Sequence, residues 1–238
     1  MTAGLRAKTM ASLALCAASA AAWGAACDGS SDPCTLDLGR VVVHFDQGAA
    51  SYFANAELIS GDDASFQAVP DFFSSLALQH AGATEGFSFT PIVYGAVGGS
   101  GKNGYNQLRG YFDFTGLSFQ AKPGYRLDAL WFHVAGYGSA VGDASFALGL
   151  PVGVAFEGDN FAGSGPLNPD DGSVHAEFVI SAAYLEGEDG TAISYGYATA
   201  AFTAAAFTAT VSAVPEPGPW ALLLAGLAGV GLRVRRPR

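Results

Sequence analysis

The sequence predicts an all-β protein whose body is an antiparallel β-sandwich, jelly-roll-like, and three observations carry that prediction. Over many short runs, such as 111–119 and 127–134, apolar residues return at every second position, which puts them on one face of a pleated strand. Turn-forming clusters separate the runs: Gly61-Asp-Asp, Gly98-Gly-Ser-Gly, Lys122-Pro-Gly, Gly136-Tyr-Gly and Asp170-Asp-Gly. Sustained helical periodicity is scarce between residues 27 and 213. In order, the strand-like runs are Leu36–Phe45, Tyr52–Leu58, Phe72–Gln79, Gly86–Val93, Gln107–Phe119, Arg126–Ala135, Ser145–Phe156, Val174–Ala183 and Ile193–Val211. Roughly nine or ten short strands with regular turns suit a sandwich or jelly roll in a single domain. The Ala- and Thr-rich stretch Ala198–Ala213 reads as the final strand followed by a short tether.

Each end of the chain carries a different kind of segment. Residues 1–26 run from Arg6 and Lys8 through the apolar stretch Met10–Trp23 to Gly24-Ala25-Ala26, the order of a secretory signal peptide cut after Ala26. Alternatives are a cut after Ala22, an uncut anchor, or a lipoprotein site at Cys27, where Gly24 stands in place of the leucine such sites prefer. Export implies an oxidising compartment, so Cys27 and Cys34, seven residues apart in an acidic loop, read as a disulfide. Lipidation of Cys27 would exclude that bridge.

The C-terminal 25 residues, 214–238, are ordered as motif, apolar span and basic end. Pro215, Pro217 and Pro219 hold Val214-Pro215-Glu216-Pro217 extended, since each lacks an N–H and biases the residue before it. Trp220 suits a membrane–water interface, and 220–232 predicts a short transmembrane helix of about 20 Å, at ~1.5 Å per residue. Arg233, Arg235, Arg236 and Arg238 form the basic stop and orient the C-terminus to the cytoplasm. This tail resembles the PEP-CTERM sorting domain of Gram-negative bacteria, departing from its usual pattern at Gly218-Pro219. The resemblance implies an exosortase that removes the tail near 215–217, after a signal peptidase has removed the leader. It also implies passage through the inner membrane, a cell-surface or extracellular destination, and association with exopolysaccharide or biofilm. In texture, 119–138 resembles a segment of many cargo domains of that family, without implying an activity.

Composition bounds the body, residues 27–213. Setting leader and tail aside, five basic residues remain against 20 acidic ones, a net charge near −15. Nucleic acid is excluded as a partner, because phosphate contacts need clustered Lys and Arg. Neutral polysaccharide and divalent cations are compatible with such a surface.

Chemistry-bearing motifs are few. The four histidines, His44, His80, His133 and His175, form no H-x-H or H-E-x-x-H pattern, and there is no G-x-S-x-G elbow. Gly95–Asn103 misses the phosphate-loop spacing. The sequence therefore predicts no catalytic residues and no resident cofactor. Calcium is the one cation with candidate ligands, Asp159, Asn160, Asp170 and Asp171 on acidic turns. Two alternatives to a purely matrix role stay open. Glu57, Glu85, Glu157 and Glu177 could supply a glycosidase pair, and Tyr94, Tyr105, Tyr111, Tyr137 and Trp131 could form a lectin platform.

Overall fold

A computed structural model describes residues 27, 33–69, 75–99, 104–168 and 172–215. The leader 1–26, residues 216–238 of the tail, and Asp170 and Asp171 lie outside the described residues. Among the described residues, no helix is long and apolar enough to cross a membrane. The helix expected at 220–232 falls outside them.

The described residues form fifteen strands. They are β1 (Cys34–Asp37), β2 (Val41–Phe45), β3 (Tyr52–Ser60), β4 (Ala64–Val69), β5 (Ala77–Ala81), β6 (Thr84–Phe89), β7 (Ile92–Gly98) and β8 (Tyr105–Phe114). Then follow β9 (Leu117–Ala121), β10 (Tyr125–Gly142), β11 (Ala144–Gly149), β12 (Val154–Glu157), β13 (Asn160–Leu167), β14 (Val174–Glu186) and β15 (Ala192–Ala213). Every strand pairing is antiparallel, so the all-β, antiparallel expectation holds. Strands β1, β2 and β9 form a 3-stranded sheet, and the other strands form a 12-stranded one.

β15 is the spine of the larger sheet. One edge pairs with β10 from Gly142↔Gly196 to Tyr125↔Ala213. The other edge is shared by β6 and β7, and the strand begins in a hairpin with β14. Through that hairpin the sheet turns onto a second group of strands, in which β14 pairs with β8 and β11, and β8 with β3. The inner faces of the two groups meet in a phenylalanine core. Phe112 of β8 contacts Phe132 of β10 and Phe202 of β15 at ring-centroid distances of 6.4 and 5.0 Å. Phe178 of β14 contacts Phe202 at 5.5 Å. Burying each such ring stabilises the fold by about 2–3 kcal/mol relative to exposing it. Gly110 on β8 makes room for this packing, because a Cβ there would collide with the Phe178 ring.

The small sheet packs on the same core through Phe45 and Phe119, which flank Phe87 of β6. A polar latch reinforces the join. Glu85 of β6 is 3% exposed and accepts hydrogen bonds from the backbone N–H groups of Arg40 and Val41 and from Arg40 Nε, at 2.7, 3.1 and 2.6 Å. Gly39, at φ 101°, makes the β1–β2 turn beside that carboxylate.

The strand count exceeds the nine or ten expected. Leu36–Phe45 breaks into β1 and β2 at Gly39, and 107–119 into β8 and β9 at Gly116. Ala198–Ala213 contains no tether, because β15 runs unbroken to Ala213. Alanine has weak strand preference alone, but ladders on both edges override it.

Candidate ligand-binding face

On β10 the period of two sends Leu130, Phe132 and Val134 inward and turns Trp131, His133, Ala135 and Tyr137 outward. On β15 the outward set changes parity at a bulge where Thr203 is the extra residue, so Ala201 and then Ala204, Ala206 and Thr208 face out. Antiparallel register then builds rows across the outer face. Trp131 lies in register with Pro166 on β13 and Thr208 on β15, and Thr208 with Gly86 on β6. The next row is Ser164, His133, Ala206 and Ser88. Beyond Ala162, Ala135 and Ala204 comes a row in which Tyr137 and Tyr94 flank Ala201.

Between the two aromatic rows lies a groove of about 320 Å³. Its floor is Ala135, Ala162, Ala204 and Ala206, and its polar groups include Gln79, Ser88, Thr90, His133 and Ser164. Alanines leave the depth, and the bulge opens the groove where β6 ends and β7 has not begun. Among the described residues its lining holds no Asp, Glu, Lys or Arg.

His133 crosses this floor with both ring nitrogens engaged. Nδ1 lies 2.9 Å from Ser164 Oγ and Nε2 lies 2.9 Å from Thr208 Oγ1. Burial lowers the imidazole pKa below 6.5, so the ring is neutral at pH 7, with one nitrogen donating and the other accepting. A serine beside a histidine invites comparison with a nucleophile–base pair. The second ring nitrogen meets a hydroxyl where a triad needs a carboxylate, so an imidazolium formed by deprotonating Ser164 would lack its counter-charge. The hydrogen-bonding capacity of the ring is thus taken up by Ser164 and Thr208.

The opposite outer face, on β3, β8 and β14, carries a cluster of charged groups. Arg109 is 2.7 Å from Glu177 and 3.9 Å from Glu57, and its guanidinium lies 4.8 Å from the Tyr111 ring centre. His175 bridges Asp113 and Glu177. Burial pushes the Glu177 carboxyl up, but hydrogen bonds from Arg109 and His175 outweigh it and leave the group below the usual carboxylate range. A general acid for glycoside cleavage needs the opposite shift.

The remaining sequence candidates separate. Glu85 is the buried latch, and Glu157, Asp159 and Asn160 lie in the exposed β12–β13 turn. Among the described residues no group of three His, Cys, Asp or Glu side chains could hold a metal. Of the five aromatic candidates, Trp131, Tyr94 and Tyr137 share the grooved face, while Tyr111 stands with Arg109 and Tyr105 begins the same strand. Sequence reasoning missed Ser164, Thr208 and Ser88. Alternation around His133 marked an outward face, but its partners come only from strand register.

Fold and face together define an antiparallel all-β protein with an aromatic-flanked groove on one sheet that, among the described residues, no charged side chain lines. Compared with protein-family models, curated proteins and solved structures, the chain matches none.

Proposed function

We propose that this chain is an exported, non-catalytic protein of the cell surface or extracellular matrix, whose body is a jelly-roll-like β-sandwich. A signal peptidase removes 1–26, and an exosortase removes the PEP-CTERM-like tail near Pro215–Pro217 after transient residence in the inner membrane. Polysaccharide of the matrix is the surrounding in which it works.

One observation carries this reading: the folded body closes just inside both cut sites. Cys27 is bonded to Cys34, with Cα atoms 5.2 Å apart, and packs against the core. A thiol so engaged is not free to carry a lipid, which favours signal-peptidase cleavage. At the other end β15 stops at Ala213, the Val214 N–H donates to the Gly124 carbonyl at 2.9 Å, and Pro215 is exposed. Cuts at 26 and at 215–217 would leave every described strand whole. The non-catalytic part rests on the engaged state of Glu85 and Glu177 and on the missing carboxylate beside His133.

Replacing Pro215, Glu216 and Pro217 together by alanine tests the sorting. In the native host the variant is expected to accumulate in the inner membrane with its tail attached. Unchanged release to the surface would refute the reading.

A further inference from the structure

We propose that the groove between Trp131 and the Tyr94–Tyr137 row is a binding site for one neutral pyranose unit of a glycan chain. This site does not depend on how the chain is sorted, and its test reads binding alone.

Four observations lead to the ligand class. The volume, about 320 Å³, lies at the small end of ligand sites and has room for a single sugar ring. No charged side chain lines it among the described residues, and the body's charge near −15 disfavours anionic ligands in its surroundings. Its polar groups are amphoteric: the hydroxyls of Ser88, Thr90 and Ser164 can each give or take a hydrogen bond, as sugar hydroxyls do. The floor is methyl groups, against which the C–H face of a pyranose can lie.

The flanks suggest a chain ligand. Trp131 is 38% exposed on the same face, two residues from His133 along β10, with Pro166 and Thr208 as its row neighbours. Tyr137 lies six residues from Trp131 on that strand, about 20 Å away at ~3.3 Å per residue. Trp131 and Tyr137 stand one row beyond the lining at either end, within reach of the units before and after the one bound in the middle, on which such rings can stack. A hydrophobic small molecule would use the methyl floor but leave the Gln79, Ser88 and Thr90 side chains desolvated, which is costly.

The test is a titration of the full chain, held in a detergent without sugar headgroups, with neutral trisaccharides built on glucose, galactose, mannose and N-acetylglucosamine. Trigalacturonate is the anionic comparison, and the NMR signals of the His133 ring are the readout. At least one neutral trisaccharide is expected to shift those signals saturably at concentrations up to about 10 mM, an affinity usual for a single-ring site. Trigalacturonate is expected to leave them unmoved. Ala204→Leu fills the groove from an exposed floor position, so it should keep the thermal midpoint and weaken binding roughly tenfold or more. The proposal is overturned if no neutral trisaccharide moves the His133 signals, if trigalacturonate binds as well as they do, or if A204L binds like the parent protein.

Discussion

Glu85 shows how one side chain can hold two sheets together. Its carboxylate accepts from two backbone N–H groups and one guanidinium, all contributed by Arg40 and Val41 at the start of β2. Removing a buried partner strands the others, so Glu85→Ala should lower stability by about 3 kcal/mol in chemical denaturation, with Glu85→Gln losing less. His133 gives a second expectation at this scale. Its folded pKa lies below the unfolded value of 6.5, so as pH falls through 6.5 the unfolded chain takes up the proton first. The contribution of His133 is therefore fully present above pH 6.5 and is lost as pH falls toward its folded pKa. The melting temperature of His133→Gln should depend less on pH below 6.5 than that of the parent; identical profiles would contradict the burial of the ring. At this scale the sequence was only partly legible. Alternation around residues 127–134 exposes Trp131 and His133 together, but Ser164 and Thr208 lie 31 and 75 residues from His133. No local pattern encodes such a meeting.

At the scale of elements, β15 decides the architecture. Ala200 sits at its middle, fully buried, paired with Gly138 on one side and Gly95 on the other. A proline there would remove an N–H and clash within a ladder occupied on both edges. Ala200→Pro should cost about 3 kcal/mol or more in urea unfolding, whereas Ala213→Pro, at the exposed end, should cost much less. Equal midpoints for the two variants would show that β15 is not the spine. Strands with clear alternation and a flanking turn, such as those around 111 and 130, were readable from sequence. The extent of β15 was not, because alanine carries little strand preference and its neighbours along the chain do not reveal that two ladders enclose it. Likewise Gly39 and Gly116 divide runs that hydrophobicity alone joins.

At the scale of the whole molecule, charge and chain ends say more than any side-chain cluster. A charge near −15 on the body repels phosphate-rich and other anionic partners, and the ion pairs among the described residues include the Arg109–Glu177 group on β8 and β14 and the Arg40–Glu85 latch between sheets. Among the described residues the groove is lined by no charged side chain, and the aromatic residues that flank it were named in the sequence without their arrangement. The proposed address rests on the two end segments, 1–26 and 214–238, whose features follow in order along the chain. The groove was not legible in the sequence, because it is assembled from β5, β6, β10, β13 and β15.

The central claim is that the body is delivered outside the cell with both ends removed. The direct measurement is the intact mass and the terminal peptides of the protein recovered from its native host. The account predicts an N-terminus at Cys27, disulfide-bonded to Cys34, and a C-terminus near Pro215–Pro217, with any added mass attributable to a glycan or anchor. Recovery of the protein with Arg238 still in place would contradict it.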